Sequence, residues 1–277
     1  MARGYNGRHF VRMRAIRHGD MLDLDIYPVF QLPGKRRGKC KPTSEVQAKL
    51  NQRNRERHAT RLLNANFGEM DIFLTLTYDQ EPECYAQAAR NLRNFLRRVG
   101  YRRKKLGLEP LKYMATTEQG KRSGRWHHHI VMSGGLDRDL LEELWGLGYA
   151  NSKRLQRGDE GFDALGRYLC KSRIIETDDQ TGEVTTLQWQ HWTQSRNLTM
   201  PEEQTEDGAL SVRELEELRE AVEDGRGWEL AEALYEDYEV LEAEAVKNGI
   251  NQGSYVRFVL RRKRPEQRQK QYQRRAG

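Results

Sequence analysis

Two histidines, a glutamate and a tyrosine stand in this chain at spacings that suit phosphoryl chemistry. The run Arg125-Trp126-His127-His128-His129-Ile130-Val131-Met132 is strand-like, and alternate residues of a strand share one face, so His127 and His129 point the same way. With a rise of roughly 3.3 Å per residue they sit about 7 Å apart along the strand, close enough for two imidazoles to converge on one divalent ion. Upstream, residues 111–118 read as a strand and 119–124 as a polar hairpin loop with two glycines. If Glu118 lies opposite Arg125, Thr116 faces His127, Met114 faces His129, and the Glu118 carboxylate shares the histidine face. One carboxylate and two imidazoles leave open positions on a cation, a donor set suited to Mg2+ or Mn2+ acting on a phosphate.

The nucleophile candidate is Tyr168, with Lys171 three residues on, in a segment whose Phe162, Leu165 and Leu169 recur at helical spacing. A tyrosine oxygen can attack a phosphodiester to give a covalent intermediate, and a lysine beside it can stabilise the phenolate or the phosphate. Tyr149 and Tyr78 compete for the role; neither has a lysine three residues on, and both suit the edge of a core. Tyr5 lies in a basic terminus with little to orient it.

These residues need a scaffold, and the hydrophobic pattern supplies one. Residues 44–67 are charged, lack Pro and Gly, and predict a helix with Ser44 as candidate cap, whose arginines either lie on DNA or face solvent. Ile72-Phe73-Leu74-Thr75-Leu76-Thr77-Tyr78 predicts a buried strand. Ala88, Leu92, Phe95, Leu96 and Val99 predict an amphipathic helix. After the hairpin come a helix at 137–147 capped at Asp137 or Asp139, a short edge strand at 150–155 and a helix at 161–172. The order β-α-β-β-α-β-α predicts a ferredoxin-like α+β sandwich with an antiparallel sheet.

The chain has 277 residues and a formal net charge of +7, which favours a polyanionic partner. The charge is uneven: residues 201–250 carry 4 basic and 17 acidic groups, and 251–277 carry 9 and 1. Four segments are expected: a basic one at 1–43 with a strand near 21–30, a central domain at 44–201, an acidic α-helical region at 202–250 with two amphipathic helices over 212–245, and a basic, disordered tail at 251–277 adding salt-dependent DNA affinity. Trp189, His191 and Trp192 either stack on single-stranded bases or pack on the core. Cys40, Cys84 and Cys170 form no CxxC pattern, and no apolar run approaches the length of a membrane span, so a reducing cytoplasm without membrane attachment is expected.

The ordered set Phe73-Leu74-Thr75-Leu76-Thr77, then Gly124-Arg125-Trp126-His127-His128-His129, then Tyr168-Leu169-Cys170-Lys171 resembles the three motifs of HUH endonucleases of the rolling-circle replication initiator class. Conjugative relaxases of that superfamily place their tyrosine before the histidines; here it follows them. Asn64-Ala65-Asn66-Phe67 before the first motif, and Ser195-Arg196-Asn197-Leu198 with Pro201 after the third, are similar to phage or plasmid replication proteins of bacteria. The resemblance spans 44–201. It implies an HUH nuclease fold with His127 and His129 as metal ligands, Glu118 as the third ligand, His128 turned into the packing, Tyr168 as nucleophile and Lys171 as its helper. The implied activity is site-specific nicking of single-stranded DNA at a replication origin in the bacterial host cytoplasm, through a 5′-phosphotyrosine that leaves a 3′-OH primer. Some relatives carry a second tyrosine four residues before the first; here that position is Ala164, which implies a single-tyrosine enzyme. The sequence has no GxxxxGK[ST] run, so unwinding would fall to a host helicase, with a host polymerase extending the primer. A relaxase or single-tyrosine transposase, and a non-catalytic single-strand-binding protein on the same fold, are the alternatives.

Overall fold

The computed structural model describes residues 9–30, 45–120, 124–171, 175–177, 184–186, 192–248 and 252–264. In chain order the elements are β1 (His9–His18), β2 (Met21–Phe30), α1 (Glu45–Asn66), β3 (Ile72–Thr77), α2 (Tyr85–Lys105), β4 (Tyr113–Gln119), β5 (Trp126–Met132), α3 (Arg138–Trp145), β6 (Ala150–Arg154), α4 (Asp163–Leu169), β7 (Ile175–Thr177), β8 (Val184–Thr186), β9 (Thr193–Gln194), β10 (Glu202–Asp207), α5 (Val212–Glu223), α6 (Trp228–Leu234), β11 (Tyr238–Lys247) and β12 (Ser254–Arg262). They form an α+β protein of two compact units. One spans Glu45–Thr199; the other joins the described residues of 1–44 with those of 200–277.

The unit Glu45–Thr199 is built on an antiparallel sheet in the order β6-β3-β5-β4-β9. Its first four strands carry the βαββαβ order of a ferredoxin-like sandwich, as expected from the sequence. One face of β3 and β5 turns Leu74, Leu76 and Ile130 onto α2 and α3. In α2, Ala88, Leu92, Phe95, Leu96 and Val99 are all buried, and each large side chain there contributes about 1.5–3 kcal/mol of hydrophobic stabilisation. Phe95 packs edge-on against Trp145 of α3, so Phe95→Ala would cost about 3–5 kcal/mol. Asp137 caps α3 by accepting from the Leu140 amide at 2.8 Å. The opposite face carries Val131 and Met114 against Leu62 and Leu63 of α1 and Leu169 of α4. Among the described residues no helix is long and apolar enough to cross a membrane.

The other unit is a five-stranded antiparallel sheet, β10-β1-β2-β12-β11, whose Val11, Leu22, Leu24, Ile26, Val256 and Phe258 pack with Leu215 and Val222 of α5. Two expectations are corrected here. The second acidic helix ends at Leu234, and Tyr238–Lys247 is a strand; Ser254–Arg262, expected in a disordered tail, is an interior strand between β2 and β11. Leu234, Tyr238 and Leu241 imitate a helical stripe, but Tyr238, Val240, Ala243 and Ala245 meet β12 residue by residue across a register shift at Val240/Glu242. That shift breaks the alternation by which a strand is read. Residues 265–277, Ser44, Cys40, Tyr5, Trp189 and His191 lie outside the described residues.

Candidate metal and tyrosine site

The β4–β5 hairpin pairs Glu118 with His127, Thr116 with His129 and Gln119 with Trp126. The expected register had Glu118 opposite Arg125. The ladder instead runs on towards the loop, and the Gly120 amide donates to the Arg125 carbonyl at 2.8 Å across the loop mouth. Gly124 takes φ +65°, a conformation that glycine adopts freely. The displacement along β5 is two residues, an even number, so the face is unchanged. Glu118 therefore lies even closer to the histidines than the expected pairing placed it.

Glu118 Oε2 is 3.5 Å from His127 Nε2 and 3.9 Å from His129 Nε2, and one ligand atom from each of the three residues lies within 4.8 Å of the others. Each imidazole is oriented through its other nitrogen: His127 Nδ1 is 3.3 Å from the Arg125 carbonyl, and His129 Nδ1 is 3.2 Å from the Thr75 hydroxyl. Such bonds fix tautomer and ring angle in metal-binding histidines. The second carboxylate oxygen, Glu118 Oε1, is buried with no hydrogen-bond partner, which an isolated side chain rarely tolerates. The donor chemistry and this unsatisfied oxygen both fit a divalent cation.

Charges in the group interact strongly. Burial would raise the Glu118 carboxyl, but its hydrogen bond with His127 and the charges of His129, His127 and Lys171 outweigh burial and hold it below its ordinary value. The hydrogen bond to Glu118 raises His127. Burial pushes His129 down to about 4, so its ring is neutral and able to donate a lone pair at neutral pH.

His128 points to the other face and is fully buried. Its Nε2 is 2.8 Å from the Tyr78 hydroxyl and its Nδ1 2.9 Å from the Thr117 hydroxyl. Tyr78 is thereby committed to the core and removed from the competing tyrosines.

Tyr168 stands near the end of α4, and its hydroxyl is 2.7 Å from His129 Nε2. Phe73 stacks on the His129 ring, with centroids 5.5 Å apart, and meets Tyr168 edge-on. Burial, with Glu118 adding to it, pushes the Tyr168 phenol up to about 12. Lys171 lies beyond the helix, past the Cys170 cap; it is exposed, and its charge reaches Glu118.

Helix α1 holds α4 along its length. The Asn64 side chain accepts from the Phe162 amide at 2.9 Å. A Cβ on Gly166 would collide with the Thr60 hydroxyl and lie 2.8 Å from the Thr60 amide nitrogen, and Gln52 donates to the Cys170 carbonyl at 3.1 Å. Sequence reasoning missed this clamp, and also missed Thr75 and Phe73 as neighbours of His129. The alternation in Phe73-Leu74-Thr75-Leu76-Thr77 already puts Phe73 and Thr75 on one face of β3. Trp192 forms a hydrogen bond with Gln194 at 2.8 Å, and its ring lies 6.0 Å from His58 of α1.

Residues 71–173 match a family model described as a replication-associated protein of the ORF2 type, and this supports a rolling-circle replication initiator family. The matched segment holds Glu118, His127, His129, Tyr168 and Lys171 and omits α1. No curated protein matches the chain significantly. A solved structure titled "Structure A of CRISPR endoribonuclease Cse3 bound to 19 nt RNA" aligns at 15% identity and a TM-score of 0.21, covering 71% of this chain and 88% of that one; a likeness that slight carries no argument.

Proposed function

We propose, on the premise that residues 71–173 form a domain of the replication-associated protein family they match, that this protein initiates rolling-circle replication by nicking single-stranded DNA at an origin. The observation that carries the reading is the 2.7 Å contact between the Tyr168 hydroxyl and a histidine of the Glu118, His127 and His129 group. A phenol poised beside metal-ligand chemistry is what nucleophilic attack on a phosphodiester needs.

A Mg2+ or Mn2+ ion held by His127, His129 and Glu118 would polarise the scissile phosphate and neutralise charge there. The Tyr168 oxygen then attacks phosphorus. A phosphotyrosine bond forms to the 5′ side, the bond to the 3′ oxygen breaks, the phenol proton passes to solvent, and the departing oxygen gains a proton to become the 3′-OH primer. A pKa near 12 in the ion-free protein keeps the phenol protonated until positive charge arrives. Lys171, exposed just past the helix, is placed to add such charge against the phosphate. The single tyrosine assigns rejoining to another nucleophile or a second subunit, and a host helicase and polymerase would unwind and extend. A cytoplasmic location in a bacterial host follows from this role.

The test is incubation of wild type and Tyr168→Phe with end-labelled single-stranded DNA from the element's own origin region and Mn2+, followed by a denaturing gel. An adduct with wild type alone is expected. An adduct that persists in Tyr168→Phe would overturn the nucleophile assignment, and none with either protein, despite binding, would favour a non-catalytic single-strand binder.

A further inference from the structure

The face of the sheet that carries Glu118, His127 and His129 continues past β3 onto β6, its edge strand. Thr75 is paired with His129 on one side and Asn151 on the other, and Phe73 with Val131 and Lys153. The Thr77 amide donates to the Tyr149 carbonyl at 3.0 Å, which extends the ladder by one residue. Directly paired residues of neighbouring strands share a face, so Tyr149, Asn151 and Lys153 all stand on the site's side. Ala150, between them, turns to the core with Leu74 and Leu76.

These three side chains are left to solvent in an unusual way. Tyr149 is 69% exposed, a large aromatic surface with no packing partner to explain it. Asn151 and Lys153 are exposed as well, and among the described residues Lys153 has no ion-pair partner. A cleft of about 880 Å³ adjoins the Lys153 end and reaches Phe73, Phe162 and Tyr168. β6 lies two strands from β5, or about 10 Å, a gap that a short stretch of extended nucleic acid spans.

We infer that the exposed face of β6 is a track for the single-stranded nucleotides flanking the scissile phosphate. Tyr149 stacks on a base, Lys153 pairs with a backbone phosphate, and the Asn151 amide between them offers a donor and an acceptor to a base edge or sugar. The inference rests on the reading of the site as acting on single-stranded DNA and extends it by naming the path of the strand. A duplex would not fit this chemistry, because its bases are stacked on one another and unavailable to Tyr149, whereas an aromatic platform beside a cation suits unpaired bases of any sequence. Tyr149 thus acts as a binding residue, with its ring and without its hydroxyl.

Fluorescence anisotropy of the full chain with a fluorescein-labelled oligothymidylate, in EDTA so that no cleavage occurs, tests the track. Tyr149→Ala is expected to weaken binding about 10-fold, while Tyr149→Phe keeps wild-type affinity and still forms the covalent adduct with origin DNA. Lys153→Gln is expected to weaken binding and to flatten the slope of log affinity against log salt by about 0.7. All three should keep wild-type Mn2+ affinity. Wild-type DNA affinity in both Tyr149→Ala and Lys153→Gln would overturn the track, and loss of the adduct in Tyr149→Phe would overturn the ring-only role. If wild type forms no adduct but these variants still lose binding, the nicking reading fails and the track stands.

Discussion

The Tyr168 hydroxyl occupies Nε2 of His129 at 2.7 Å, the same nitrogen that faces Glu118 at 3.9 Å. His129 Nδ1 is engaged by Thr75, so Nε2 is the position left for a cation. An imidazole nitrogen has one lone pair and cannot both accept the phenol proton and ligate a metal. In the ion-free protein the nucleophile is therefore parked on a ligand.

Removing that hydrogen bond should help the cation bind. A net hydrogen bond contributes about 0.5–1.5 kcal/mol, so Tyr168→Phe should bind Mn2+ about 2- to 10-fold more tightly than wild type in titration calorimetry. Unchanged or weaker affinity would mean that Tyr168 does not compete for Nε2.

His128 makes the fold sensitive to acid. Burial pushes its folded-state pKa down from 6.5 to about 3, so between these values the unfolded chain binds a proton that the folded chain does not. Stability is then complete above pH 6.5 and falls as the pH drops towards 3, by up to about 4 kcal/mol. Urea unfolding at stepped pH should show the midpoint declining through this window. In His128→Leu that decline should flatten, while stability at pH 7 drops by about 1–3 kcal/mol because the Thr117 and Tyr78 hydroxyls lose their partner.

Gly166 sets the distance between α4 and α1. Alanine there would force the helices apart at Thr60 at a cost of about 1–3 kcal/mol, and would move Tyr168 relative to His129. Gly166→Ala should slow adduct formation at saturating DNA by at least about 10-fold, since a small misplacement of a reacting group is expensive, while Mn2+ affinity, which needs no α4 residue, stays as in wild type. A parallel loss of metal affinity would show that the substitution disturbs the sheet as well.

Much of the site was legible because it depends on local periodicity. Alternation along a strand placed His127 and His129 together with His128 opposed, and the same parity kept Glu118 on their face even though the register differed by two residues. Helical spacing brought out Tyr168 and the buried face of α2 in the same way. The strands of the other unit were not legible, because β1, β2 and β12 become neighbours only when residues 9–30 meet residues 254–262. Their burial comes from partners more than about 200 positions away along the chain, and the register shift in β11 disguises its alternation.

The amino-acid sequence by itself determined which residues could hold a cation and attack a phosphate, since donor type and strand parity are properties of a few consecutive residues. Tertiary structure alone decided that Tyr168 reaches His129, that α1 clamps the helix carrying it, and that Tyr149 and Lys153 extend the same face. Each of those depends on a distance between chain segments, and such distances come from packing and from the pairing order of a sheet.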